Sequence, residues 1–348
     1  MEDKSWFING PTDSTVLEIP CDILASFHYF KNVNIERLAS WGTRIIGDSG
    51  AFSAMSSGTP IDREEFHSWV ARYKEHLFWA ASLDVIGDEK ASFQNWLASK
   101  KDGLDLVPTL HYGANPEAMD ALVENGASLI GLGGMVPFSS EKDRLMRWTL
   151  SMHRYARDNF RGVRFHGWGI SHPYLLDNLP WWSADSSGFA SCFRFGTLRL
   201  WVPPKERFIS VNLNGRDLRQ YDQVLKRYYG QNWRHVASST SKNRREVGRV
   251  ALRGVQLYGQ WLRSRQQVSP PALLQARIEG PLTAAAWAPG GNVGSILDPS
   301  NKGPRMVAAD TNWNRTFGPL PVGAMSPGGG QGQAVTPNGF SIAQEAKT

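Results

Sequence analysis

Cysteine is scarce in this chain. Two residues, Cys21 and Cys192, among 348 exclude a disulfide-stapled scaffold, and they exclude any zinc site that draws three or four thiolates from this chain. Long apolar runs are missing as well: none approaches the roughly 20 residues needed to span a bilayer, so no membrane partner is expected. The opening MEDKSWFINGPTD is polar and acidic and lacks the apolar stretch of a secretory signal. Together these absences lead us to expect reduced thiols and a cytoplasmic setting. No internal repeat is visible, which argues against solenoids and propellers. Nor is there an excess of acid. The formal charge is +6, and residues 241–267, with seven Lys or Arg and one Glu, carry an excess equal to that of the whole chain.

What is present is a beat of short apolar strands and amphipathic helices between residue 21 and about residue 230. Eight candidate strands can be read: CDILASFHYF (21–30), TRIIGD (43–48), LFWAASLD (77–84), LDLVPTLHY (104–112), ASLIGLGG (127–134), VRFHGWGI (163–170), WWSAD (181–185) and RFISVNL (207–213). Apolar runs of this kind suit buried parallel strands. Helices fall between them. Asp62 and Glu65 are spaced as a capping box ahead of DREEFHSWVARYKEH, NPEAMDALVENG runs from Pro116 to Gly126, and 141–160 form a longer amphipathic helix. The link between the seventh and eighth strands lacks a helical period and predicts loops or an inserted hairpin. The expected fold is α/β, an eight-stranded (β/α)8 TIM-type barrel over residues 1–230. A basic helical segment (231–267) and a Pro/Gly-rich, largely disordered tail (268–348) follow it.

Three aspartates close strands: Asp48, Asp84 and Asp185. A carboxylate where a strand leaves the core is costly unless it is solvated, bonded or used. Any one of them alone reads equally well as a turn cap. Three in series point to one mouth lined by strand ends, which is where such barrels do their chemistry. His111 and Tyr112, Gly133, Gly134 and Met135, and His166 end other strands on the same pattern. Paired glycines let a flat ligand approach the backbone.

The ordered set DSGAF (48–52), Asp84, LHYGAN (110–115), GLGGM (131–135), HGWGI (166–170) and SADSSGF (183–189) resembles the tRNA-guanine transglycosylase (queuine tRNA-ribosyltransferase) superfamily over about residues 20–215. The resemblance implies that Asp185 is a nucleophile and that Asp48 does acid/base work and bonds the base edge. It implies further that Asp84 and His111, the latter where a Gln is usual, read a purine beside the backbone of Gly133 and Gly134, with Met135 or Tyr112 stacking on the ring. The family's zinc site of three cysteines and a histidine cannot be built here, and its Pro-Thr-Arg after the nucleophile is missing. No metal and no cofactor is therefore expected. These departures, with the basic helix, are more like the phage and DNA-modifying branch, which exchanges guanine in DNA for a 7-deazaguanine such as preQ0. The partners so implied are double-stranded DNA and a free 7-deazaguanine base, in the host cytoplasm if the chain is phage-encoded. Arg245, Arg249 and Arg253 recur every four residues and predict one cationic stripe for phosphates, while Val247, Val250, Leu257 and Trp261 are expected to pack inward. The bland alternative for the stripe is a solvated helix face.

Four other readings remain open on the residues alone. A tRNA-directed enzyme keeps the chemistry and changes the polymer. A retaining glycosidase-like barrel also needs paired carboxylates. A metal-dependent hydrolase would use His28, His111 and His166, although the chain has His28-Tyr29-Phe30 where a His-x-His is common. A non-enzymatic DNA-binding protein leaves the three strand-end aspartates unexplained. The sequence carries no sign of oligomeric state.

Overall fold

The computed structural model describes residues 22–40, 44–170, 172–190, 192, 195–237 and 244–265, with two short strands, Ala334–Val335 and Ser341–Ile342, that pair antiparallel. The rest of the expected tail lies outside the described residues.

Seven of the eight candidate strands form a parallel array. β1 (Ile23–Ser26), β2 (Ile45–Asp48), β3 (Leu77–Ala81) and β4 (Leu106–Val107) make one four-stranded sheet in that order. β5 (Thr109–His111), β6 (Leu129–Gly133), β7 (Arg164–Gly167) and β8 (Ser183–Ala184) make a second. β4 and β5 are the two halves of the predicted fourth strand, divided at Pro108, which has no N–H to give to a ladder. The backbone runs through that point. The Val107 carbonyl accepts from Ser82 N–H on one side (2.8 Å), and the Pro108 carbonyl accepts from Gly131 N–H on the other (2.8 Å).

This array curls. β3 and β8 stand four strand spacings apart, about 19 Å if the sheet were flat. Yet the Phe78 and Trp182 rings stack at 6.0 Å, and Trp79 meets His166 at 4.9 Å. Ile46, Phe78, Trp79, Val107, Leu129 and Trp182 form a separate apolar cluster inside the curl. Phe78 and Trp79 are consecutive and still share that cluster. The β2–β3 register slips between Ile45 and Ile46, so that Ile45 pairs with Leu77 and Ile46 with Trp79, and Phe78 is the extra, bulged residue. The outer faces of the strands are covered by helices such as Arg63–Tyr73, where Asp62 Oδ1 accepts from Glu65 N–H (2.8 Å), and Lys142–Asn159, which buries Leu145, Trp148 and Met152.

Two expectations are corrected. Residues 27–30, read as the end of the first strand, form a short helix, Phe27–Phe30. Residues 207–213, read as an eighth barrel strand, contribute β10 (Arg207–Asn212), which pairs antiparallel with β9 (Thr197–Val202) in a hairpin apart from the parallel array. That hairpin grows out of the link where loops or an insertion were expected. The Arg244–Arg265 helix lies over it, with Trp201 against Tyr258 (4.8 Å) and Trp261 (5.2 Å). Val247 and Val250 are buried as predicted, and Leu257 and Trp261 pack half-buried on the same core. No helix among the described residues is long and apolar enough to cross a membrane.

Candidate active site at the strand ends

Parallel strands leave a sheet at the same edge, so the residues that end β2, β3, β5, β6 and β8 meet there. Asp48 is the last residue of β2, Asp84 lies three residues past β3, His111 ends β5, and Asp185 follows β8. The convergence is electrostatic as well as topological. Burial first, and then the negative charges of Asp185 and Asp84, raise the Asp48 carboxyl to about 7, against the opposing pull of the Gly50 N–H that donates to its Oδ2 (3.0 Å). Gly50 holds φ +78°, and a Cβ there would run into His28. The glycine of the DSGAF segment therefore sets the turn that lets the backbone cap Asp48.

Asp185 is held by β7 and the turn after it. Its Oδ1 accepts the Gly169 N–H at 2.8 Å and lies 3.4 Å from His166 Nε2. His166 is fully buried, its Nδ1 is 2.7 Å from Ser183 Oγ, and desolvation lowers its pKa, so it stands neutral beside the carboxylate. A neutral imidazole that accepts from the Ser183 hydroxyl at Nδ1 keeps its proton on Nε2, facing Asp185.

His111 sits between two carboxylates. Glu89 Oε1 accepts its main-chain N–H (2.8 Å) and lies 3.1 Å from Nδ1, and Asp84 Oδ2 is 3.7 Å from Nε2. Burial disfavours the cation, but the two carboxylates outweigh it and push the ring up to about 10. Asp84 Oδ1 and His111 Nε2 are both buried and make no hydrogen bond within the protein. An acceptor and a donor thus lie at the strand ends with no hydrogen bond of their own, the donor facing Asp84 Oδ2 at ion-pair distance.

Other expected site residues lie elsewhere. Side chains alternate along a strand. Thr109 and His111 face the interior, so Tyr112 faces out, against Phe138 (4.8 Å) and Trp148 (5.3 Å). Met135 is buried in the same outer core. Neither is positioned to stack on a ligand in the mouth. The glycines of β6 do accept a flat group, but it belongs to the protein: the Trp168 indole covers Gly131 and Gly133, and its Nε1 donates to Thr109 Oγ1 at 3.0 Å. Gly134 holds φ +70°, close to the Tyr112 amide.

Of the arginine stripe, Arg249 pairs with Glu246 (3.1 Å) and Arg253 Nε donates to the Tyr228 carbonyl (3.3 Å); both are part-buried. The Arg245 side chain lies outside the described residues. Among the described residues the large apolar side chains that stand exposed are Tyr29, Met55, Val85, Tyr174 and Phe195. Each sits in a segment leaving the C-terminal end of a strand, namely β1, β2, β3, β7 and β8.

Glu89 and Trp168 are the site residues the sequence did not give away. Asp88-Glu89 opens the Glu89–Lys101 helix, with Asp88 Oδ1 accepting from Ala91 N–H (2.9 Å). An acidic pair there looks like ordinary capping and first-turn charge. Among the described residues no cluster of three or more His, Cys, Asp or Glu is arranged to hold a metal ion. The fold and site define a mixed α/β protein with parallel sheets and an acidic mouth at their C-terminal edge. Compared with protein-family models, with curated proteins and with solved structures, the chain matches none.

Proposed function

We propose that this chain is a base-exchanging glycosyltransferase of the transglycosylase type. It replaces guanine in DNA with a 7-deazaguanine, on a (β/α)8-type barrel whose last position is remodelled by the β9–β10 hairpin and the Arg244–Arg265 helix. The observation that carries the reading is the couple of Asp84 Oδ1 and His111 Nε2, both buried and neither with a hydrogen bond within the protein. A buried acceptor beside a buried donor is costly when empty, and it complements the N1–H and O6 edge of a 6-oxopurine.

The chemistry follows from the neighbouring carboxylates. An Asp185 oxygen attacks C1′, the C1′–N9 bond breaks, and its electron pair leaves with guanine. Asp48, whose carboxyl is raised to about 7 by burial and by its acidic neighbours, supplies the proton that neutralises the departing base. The 7-deazaguanine then gives its N9 proton to the Asp48 carboxylate, and its N9 attacks C1′ and frees Asp185. Two displacements retain the configuration, as in retaining glycosidases. The Gly169 N–H and His166 hold Asp185 in place for both. A base that reaches this mouth must leave its helix, at a cost of a few kcal/mol. Exposed Tyr29 and Tyr174, on the segments that follow β1 and β7, offer bases a surface on which to restack.

Purified protein incubated with labelled guanine and either duplex DNA or tRNA tests the reading. Label entering DNA supports it, label entering only tRNA changes the polymer, and label entering neither overturns it. Asp185→Asn is expected to abolish covalent trapping of oligonucleotide on the protein.

A further inference from the structure

Resting on the base-exchange reading, we propose that Glu89 is a specificity-determining residue, acting through His111. By taking the Nδ1 proton in a hydrogen bond while Asp84 Oδ2 faces Nε2, it leaves both ring nitrogens protonated, so that Nε2 is a donor and the site takes 6-oxo heterocycles and rejects 6-amino ones. Glu89 touches no substrate in this arrangement; it is a positioning residue.

The argument starts from proton positions. A carboxylate offers only acceptors. Glu89 Oε1 takes the His111 main-chain N–H at 2.8 Å and lies 3.1 Å from Nδ1, so Nδ1 carries a proton. With Nδ1 protonated, a neutral ring would present a lone pair at Nε2. That lone pair would face Asp84 Oδ2 at 3.7 Å, a second acceptor. Two acceptors facing each other in a buried site repel, and a second proton on Nε2 turns the repulsion into attraction. The charged groups facing the ring are Asp84, from the segment after β3, and Glu89, from the helix that follows it. On the β6 side its neighbours are Gly133 and Gly134, which bring no charge. Asp48, the next carboxylate along the mouth, is coupled to Asp84. The cation survives burial because two anions flank it.

The consequence is chemical. An amide side chain at this position can turn over and present either a donor or an acceptor, whereas an imidazolium can only donate. Its partner must then be a ring carbonyl. An amino group there would set donor against donor, and a site built to bond one polar group rejects its replacement by roughly a hundredfold or more. Asp84 Oδ1 applies the complementary rule beside it, since it accepts only from N–H.

The test compares the wild-type chain with Glu89→Gln and His111→Gln. Histidine labelled at Cε1 reports the His111 ring by NMR in ligand-free protein, and calorimetry reports binding of guanine and 2,6-diaminopurine between about pH 6 and about pH 8.5. In the wild type the ring is expected to stay protonated across that range, with guanine preferred about a hundredfold. In Glu89→Gln the ring is expected to titrate within the range, and guanine affinity to fall tenfold or more as it does. His111→Gln is expected to lose the pH dependence that follows the His111 ring, leaving only that of Asp48, and to lose most of its discrimination. A wild-type ring that titrates below about pH 7 overturns the proposal, as does a Glu89→Gln ring and selectivity indistinguishable from wild type. Failure of the wild type to bind either purine, with the ring still following Glu89, overturns the base-exchange reading and leaves the pairing of Glu89 with His111 standing.

Discussion

Gly131 and Trp168 occupy complementary space. The Trp168 indole lies where a Cβ on residue 131 would have to be, and its Nε1 reaches past the glycine to Thr109 Oγ1 at 3.0 Å. The same ring meets His166 at 4.2 Å and Trp79 at 5.7 Å. Trp168 therefore closes the interior of the curled sheet beneath the carboxylates, and the missing side chain at 131 makes that closure fit.

Gly131→Ala is expected to push the indole off its seat. Overpacking at a well-filled site costs about 1–3 kcal/mol, and the Trp168–Thr109 hydrogen bond goes with it. Urea unfolding followed by tryptophan fluorescence measures the loss. An alanine variant as stable as the wild type would mean that the indole has room to move and does not close the interior.

Much of this was legible in the sequence, and the failures share physical causes. Seven apolar runs marked seven parallel strands, and Asp48, Asp84 and Asp185 marked their exits, because burial of a parallel strand and the cost of a carboxylate at its end are both local facts. The partner of a strand is not local. Nothing in RFISVNL distinguishes a barrel strand from one arm of a hairpin, and only the long-range pairing with β9 decides it. The bulge at Phe78 is hidden for the same reason: it exists only in register with β2. GLGGM showed that something flat approaches the backbone without showing what. The direction of Tyr112 was available in principle, since one residue of alternation separates it from His111. Glu89 was disguised, because an acid in the first turn of a helix already has an explanation.

Tyr112→Phe tests that alternation. The phenol is buried, its hydroxyl makes no hydrogen bond within the protein, and its ring packs on Trp148 away from the mouth. Removing an unsatisfied buried hydroxyl is expected to leave stability within about 1 kcal/mol of the wild type or to raise it, with base exchange unchanged. A tenfold fall in exchange without a change in stability would return Tyr112 to the pocket.

Asp48→Asn separates stability from activity through pH. The Asp48 carboxyl is raised from 3.8 to about 7 by burial and by the charges of Asp185 and Asp84. The folded chain thus keeps this proton to higher pH than the unfolded chain does. Stability is greatest, as far as this group contributes, below its unfolded value and falls as pH climbs through the window between the two. An asparagine carries no charge and escapes that loss. The variant is expected to gain on the order of 1–3 kcal/mol over the wild type at about pH 8 and little near pH 4, while its exchange rate falls about 10²- to 10⁴-fold. Thermal melts at the two pH values read the first effect and labelled-guanine exchange reads the second. A variant less stable than wild type at pH 8 would show that the Asp48 charge is compensated in the fold.

The exposed apolar residues raise a different question, since single ones are ordinary on any protein surface. The chain order is what argues here: Tyr29, Met55, Val85, Tyr174 and Phe195 all lie on segments that follow strands of the parallel sheets, and the carboxylates at those strand ends would by themselves repel a polyanion. Stacking is attraction that does not depend on charge, and each stacked base is worth about 1–3 kcal/mol. Tyr29→Ala combined with Tyr174→Ala is therefore expected to weaken oligonucleotide binding by about thirtyfold or more. The affinity for free guanine is expected to stay constant, because neither ring touches the Asp84–His111 couple. The slope of oligonucleotide affinity against salt is also expected to stay constant, because no cation is removed. A double variant that binds oligonucleotide as tightly as the wild type would move the polymer to another face. If binding instead weakened with a shallower salt slope, phosphate contacts would have been lost, and the cationic side chains would hold the strand in place of the tyrosines.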